Sequence, residues 1–177
     1  MKSLCMAVAI GAVLSTALLP CPALGRDRRP DMLFSGDTSL TGDVTVPDSA
    51  TCIINPGARI KFASYSRFAV FGLLIAEGTP LAPIIFSGDP SSGISYQRTS
   101  WRGLEIIGAK AQARFTHCRI EGAYRNLIWE SSPAFDSCMF SLNHYAIYCA
   151  KQAAPAIRNC SFFLMNSIIA FNSYCME

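Results

Sequence analysis

The last third of the chain, Ala113 to Glu177, repeats itself in three lines: ARFTHCRI…NLIW, PAFDSCMF…AIYC and PAIRNCSF…IIAF. Cys118, Cys138 and Cys160 hold the same place in each line, 20 and 22 residues apart. Phe115, Phe135 and Ile157 stand three residues before those cysteines, and Ile120, Phe140 and Phe162 two after. Leu127, Ile147 and Ile169 form a further column, followed by Trp129, Cys149 and Phe171. A period of this length with apolar columns marks stacked repeats, each of which buries its apolar residues only against its neighbours. Each line holds two short runs with period-two alternation, which means strands with one face inward. No line offers a stretch with helical spacing. The expectation is an all-β parallel β-helix of about five to six coils, like residues stacked at the strand spacing of about 4.8 Å.

The same plan is legible upstream. Cys52-Ile53-Ile54, an Asn55-Pro56-Gly57 corner and Ile60-Lys61-Phe62 make one line. Leu74-Ile75-Ala76, a Glu77-to-Pro80 corner and Ile84-Ile85-Phe86 make the next. Glycine and proline supply the sharp turns. A polar Gly/Ser-rich loop, Ser87 to Ser100, is the longest break, and Trp101 to Ile106 re-enters the pattern. Laid out by spacing alone, one strand column takes residues 52, 74, 104, 127, 147 and 169, and another takes 60, 84, 118, 138 and 160.

The ends of the chain read differently. Met1 to Gly25 has the form of a secretory signal peptide: Lys2, an apolar run from Met6 to Leu19, then Pro20 and Ala23-Leu24-Gly25. The rivals are a membrane anchor, for which the run falls short of the roughly 20 apolar residues that span a bilayer, and a lipoprotein site at Cys21, which Pro20 disfavours. Residues 26–42 form a lead-in or N-terminal cap, and 43–177 the β-helix domain. Export places the chain outside the cytoplasm, secreted or periplasmic, with no membrane span once the leader is cleaved. At the other end, only six residues follow Phe171. An uncapped C-terminal end is expected, covered by another copy or chain or continued in a longer protein, because a solenoid needs a polar cap.

Composition narrows the function classes. An apolar fraction of 51% with 15% charged residues excludes a disordered chain. A net charge of +3 gives no basis for nucleic-acid binding. Six cysteines remain after the leader: Cys52, Cys118, Cys138, Cys149, Cys160 and Cys175. Export and an even count invite disulfides. Stacked Cβ atoms at the strand spacing are too far apart for the roughly 3.8 Å of a bridge, so a ladder of free thiols is favoured for Cys118, Cys138 and Cys160. No metal or cofactor motif occurs, and His117 beside Cys118 is isolated.

The order Val-x-Val-Pro, Asn-Pro-Gly corner, Ile60-Lys61-Phe62, Gly72-x-Leu74-x-Ala76-x-Gly78-Thr79, Pro83-Ile84-x-Phe86, Trp101-x-Gly103-Leu104 and the Cys-centred lines resembles secreted bacterial right-handed parallel β-helix repeat proteins of the pectin-lyase-like superfamily. The resemblance implies the fold over about Asp43 to Cys175. It does not deliver an activity, because the superfamily holds lyases, hydrolases and adhesins.

Lyases and hydrolases of that kind need carboxylates on adjacent rungs of one outward column. The outward columns read as Arg119/Met139/Ser161, as Glu105/Ile128/Tyr148/Ala170 and as Thr116/Asp136/Arg158, so none holds two acids. Asp136 with Arg158 is expected to be a surface ion pair, and Arg59 and Lys61 to be solvated bases around buried Ile60. His117, His144, Glu121 and Glu130 stand alone. No catalytic residue is assigned. The binding candidates are Trp101, Tyr124, His144 and Tyr148, whose rings could stack on a polysaccharide; the plainer account of outward tyrosines is β-propensity. The function expected is a rigid, non-catalytic surface module. The alternative is a lyase or hydrolase with its site in the Ser87–Ser100 loop or in coils beyond this chain, or a truncated inactive fragment of one.

Overall fold

The computed structural model describes residues 30–88 and 101–171. They form six turns of three strands each. The first turn holds β1 (Met32–Phe34), β2 (Asp37–Leu40) and β3 (Val44–Val46); the second holds β4 (Thr51–Ile54), β5 (Arg59–Phe62) and β6 (Arg67–Val70). The third has β7 (Leu73–Glu77), β8 (Ile84–Gly88) and β9 (Gly103–Ile107), and the fourth β10 (Gln112–Thr116), β11 (Cys118–Glu121) and β12 (Arg125–Trp129). The fifth has β13 (Ala134–Asp136), β14 (Met139–Ser141) and β15 (Tyr145–Ala150), and the last β16 (Ala156–Arg158), β17 (Ser161–Phe163) and β18 (Ser167–Phe171). Every third strand pairs in parallel, giving three six-stranded sheets that enclose one core. The first sheet runs β1-β4-β7-β10-β13-β16, the second β2-β5-β8-β11-β14-β17 and the third β3-β6-β9-β12-β15-β18. Among the described residues there is no helix, so none that could cross a membrane.

The alternation of each strand decides what enters the core. Phe34, Ile54, Ala76, Phe115, Phe135 and Ile157 are stacked in the first sheet. Thr38, Ile60, Phe86, Ile120, Phe140 and Phe162 are stacked in the second. Parallel in-register stacking brings like rings face to face: Phe115 on Phe135 with centroids 4.7 Å apart, and Phe140 on Phe162 at 5.2 Å. Such pairs add about 0.5–1.5 kcal/mol beyond the area they bury.

Three readings of the sequence need correction. Each turn has three strands rather than two, because the run before each cysteine is a strand of its own. His117, Ser137 and Asn159 turn the short corners between those strands, with φ of 47°, 53° and 53°. That left-handed conformation suits asparagine and histidine and is costlier for serine. Second, the six-residue column drawn through 52, 74, 104, 127, 147 and 169 joins two sheets. Cys52 and Leu74 pair in the first, whereas Leu104 stacks on Phe68 in the third. Likewise Ile60 lies against Phe86, not Ile84, which lies against Cys118.

Third, the phase of β12 is inverted. Asn126 and Ile128 point inward, while Leu127 and Trp129 are only half-buried on the outer face. A β-bulge between β12 and β15 resets the register, pairing Leu127 with Tyr148 and Ile128 with Cys149. Buried Asn126 is held at both ends: its Oδ1 accepts from Leu104 N at 3.1 Å, and its Nδ2 donates to Ala146 O at 2.9 Å. Asn143 does the same at the neighbouring corner, accepting from Ala123 N and donating to Ile120 O, both at 2.8 Å. Asn126→Ala leaves two buried backbone groups unpaired, at about 1–3 kcal/mol each. A urea midpoint shift equivalent to about 2–6 kcal/mol is expected on that ground; a shift near zero would mean that water enters at this corner.

Candidate functional site

The outer face of the third sheet, with the corner leading into it, carries the densest set of aromatic and cationic side chains. Tyr124 and His144 occupy the same corner position on adjacent turns, where backbone bonds from Tyr124 N to Trp101 O and from His144 N to Ala123 O fix the stacking. Their rings lie parallel, with centroids 5.1 Å apart. Asn166, one turn further, lies with its Nδ2 2.8 Å from His144 Nδ1. Tyr145 meets both rings edge-on, at 6.0 Å from Tyr124 and 4.4 Å from His144. Tyr148 continues the row at 5.6 Å from Tyr145, and the Arg125 guanidinium lies 5.1 Å over its ring. Lys151 covers Trp129 similarly, at 5.4 Å. The result is an aromatic ladder edged by cations, with Tyr124 exposed and His144, Tyr145 and Tyr148 half-buried.

Below the ladder lies an ion network that the sequence did not announce. Glu105 points outward from β9 but is buried, because Arg67 and Arg102 close over it. Arg67 Nη1 donates to Oε2 at 2.9 Å and Arg102 Nη2 to Oε1 at 3.1 Å. Arg67 also donates to Asp43 at 2.9 Å, so one guanidinium bridges two carboxylates and its pKa is held above the usual arginine value, mainly by Glu105. Gly103 beside this network lets the backbone of β12 come close: a Cβ there would lie 2.2 Å from Arg125 O, and its φ is +120°. The signal in the sequence was the spacing of Arg67, Arg102 and Glu105, visible only once β6 and β9 are known to be adjacent.

Of the four binding candidates, Tyr124, His144 and Tyr148 are brought together. Trp101 is not with them. It is 1% exposed, stacked on Phe62 with centroids 4.2 Å apart, and its Nε1 donates to Glu121 O at 2.9 Å. Its bulk and single donor are both satisfied inside the core, so it offers no face to a ligand. Tyr145 and Arg125 were missed because neither stood out without the corner stacking.

The other candidates fall as follows. Thr116, Asp136 and Arg158 do share a column, but the Asp136 carboxylate takes its hydrogen bonds from Asn159 Nδ2 at 3.0 Å and Ser137 Oγ at 3.1 Å. Those bonds, Asn159 first, hold its pKa below the ordinary carboxylate value. The remaining outward column reads Glu105, Leu127, Tyr148 and Ala170, with Leu127 in place of Ile128. No outward column among the described residues sets two carboxylates on adjacent rungs, and none of these residues form a cluster of three or more metal-ligating groups. Most of the polar loop, 89–100, lies outside the described residues, as do the leader and Cys175.

Cys52, Cys118, Cys138, Cys149 and Cys160 are free thiols. Three of them form a ladder along one inner corner. Cys118 Sγ donates to Ala76 O at 3.2 Å, Cys138 Sγ to Phe115 O at 3.5 Å and Cys160 Sγ to Phe135 O at 3.6 Å. Each thiol also has a carbonyl of its own turn two residues back, and for Cys138 (Asp136 O, 3.3 Å) and Cys160 (Arg158 O, 3.1 Å) that is the shorter contact, so only Cys118 points its closer bond at the turn before. Its hydrogen bond with Cys138, then burial, pushes the Cys118 pKa up.

The fold defines this chain as a parallel β-solenoid of six described turns with an aromatic, cation-edged outer face. Comparison with protein-family models, with curated proteins and with solved structures finds no match.

Proposed function

We propose that the chain is an exported, non-catalytic β-solenoid of the pectin-lyase-like kind, serving as a rigid module that binds polysaccharide on the outer face of its third sheet. The observation that carries this reading is the row Tyr124, His144, Tyr145 and Tyr148, held on two adjacent turns with Arg125 over the last ring. The apolar face of a pyranose ring stacks on an aromatic face, and rings at intervals along a sheet suit a polymer of repeating units. Arg125 and Lys151 add donors for hydroxyl or acidic groups. Export follows from the leader at Met1 to Gly25, which also accounts for the scarcity of charge in that segment.

The test is binding of the purified chain to an array of plant, algal and bacterial glycans. Tyr124→Ala and Tyr148→Ala are each expected to weaken binding about 3- to 10-fold, as the loss of one ring contact implies. The chain should leave the bound glycan intact. Unchanged binding in both variants would dismiss the ladder as the site, and cleavage of a polyuronide would favour the lyase or hydrolase reading instead.

A further inference from the structure

Cys118, Cys138 and Cys160 stand one residue before Arg119, Met139 and Ser161, which pair rung to rung in the second sheet. The three thiols therefore lie one above the next along the inner side of the same corner. Cys118 and Cys138 are 1% and 2% exposed, and Cys160 is partly buried. The sulfurs also hydrogen-bond to one another. Cys118 donates to Cys138, and that bond, ahead of every other influence, lowers the Cys138 pKa while it raises that of Cys118. The polysaccharide reading makes no use of this ladder, which faces the interior.

The rung spacing decides what chemistry such a ladder suits. Rungs about 4.8 Å apart are too wide for a disulfide, whose Cβ atoms stand about 3.8 Å apart. They nearly equal the span of two metal–thiolate bonds laid end to end, about 4.6 Å at about 2.3 Å each. Among the described residues no three His, Cys, Asp or Glu side chains converge on one point, so an ion that demands three or four protein ligands finds no set here. A soft ion satisfied by two thiolates in line, of the Cu(I) and Ag(I) class, needs only one pair of adjacent rungs.

We infer that the thiol ladder is a site for one soft monovalent cation, bridged between Cys138 and either Cys118 or Cys160. The ion replaces thiol protons: one cation and two thiols give a linear bis-thiolate with a single negative charge, and two protons leave to solvent. No oxidant or reductant is consumed. Because those protons must go, binding tightens as pH rises. Cys138 is the ligand common to both positions, and it is the ladder thiol whose proton is held least firmly. Without it, Cys118 and Cys160 stand two rungs apart, about 9.6 Å, too far for one ion to bridge.

The experiment titrates the full chain with Ag(I) in chloride-free buffer, against excess glutathione, whose separate thiols lack the advantage of two held in line. Silver is added both to the folded chain and during refolding from urea, so that slow entry through a closed wall is not read as absence. One ion should be retained per chain, with two sulfur neighbours and no nitrogen or oxygen by X-ray absorption at the silver edge. Cys138→Ala should weaken retention about 100-fold or more, beyond the roughly 10- to 100-fold that losing an outer-shell partner costs. Cys118→Ala and Cys160→Ala should each change it by about twofold at most, since one of two positions survives; the double variant should match Cys138→Ala. Cys138→Ser keeps a donor for Phe115 O and removes the soft ligand, so it should fold, by circular dichroism, and still lose the ion. No retained silver under either protocol would overturn the inference. So would a Cys138→Ala loss no greater than that of Cys52→Ala or Cys149→Ala, which would mean that silver spreads over single thiols.

Discussion

Phe140→Ala is expected to lower the unfolding free energy by about 3–5 kcal/mol, the usual cost of removing a buried phenylalanine. Phe140 is fully buried in the fifth turn, parallel to Phe162 and edge-on to Phe135 at 5.5 Å. Its loss therefore opens a cavity against two rings that belong to two different sheets. The backbone around it is fixed by parallel ladders on both sides, from β11 and to β17, so collapse into the space is limited. For a domain of ordinary stability, about 5–15 kcal/mol, this is a large fraction of the total. Urea unfolding followed by circular dichroism measures it, with the midpoint falling. A loss below about 1 kcal/mol would be incompatible with a closed interior at this turn.

The second large effect is alkaline. Burial pushes the Cys52 thiol up to about 12, and raises Cys149 and Cys160 as well. A thiol in the unfolded chain ionises near pH 8.5. Between those limits the unfolded chain gives up its proton while the folded chain keeps it, so the contribution to stability is intact below about pH 8.5 and lost as pH climbs toward 12. For Cys52 alone the full difference is on the order of 5 kcal/mol. The chain is expected to lose stability between pH 9 and 12 through Cys52, Cys149 and Cys160, the thiols that burial raises. Cys52→Ala should flatten that slope when denaturant midpoints at pH 8 and pH 11 are compared. Lysine and tyrosine titrations are common to both proteins and cancel in the difference. Equal slopes would show that Cys52 is accessible to hydroxide in the folded state.

Much of the architecture was legible because parallel stacking writes its register directly into the sequence. The columns Phe115/Phe135/Ile157, Ile120/Phe140/Phe162 and Thr116/Asp136/Arg158 are in register as read. So is the burial of Ile60 between exposed Arg59 and Lys61. The errors cluster where hydrophobicity and direction part company. In β12 the inward positions are Asn126 and Ile128, and a polar residue inside reverses the phase that Leu127 and Trp129 suggest. Asn126 is there because its amide completes two backbone hydrogen bonds, a use of the core that periodicity does not register. Spacing also carried no label saying which sheet a strand joins, so Cys52 and Leu104 were placed in one column. Trp101 is a different kind of miss: a large aromatic at a loop boundary looks like a surface residue until Phe62 is found beneath it. The Tyr124–His144 pair was legible; the Arg67–Glu105–Arg102 crossing, 38 residues long in sequence, was not.

The short corners at His117, Ser137 and Asn159 set the bore of the tube but not its length. Each rotates the backbone from one wall to the next through one left-handed residue, in one or two residues in all. Adding or excising an entire layer leaves the perimeter untouched, whereas adding one residue to a corner changes it. Growth along the axis is thus mechanically cheap in such a molecule, and widening is not.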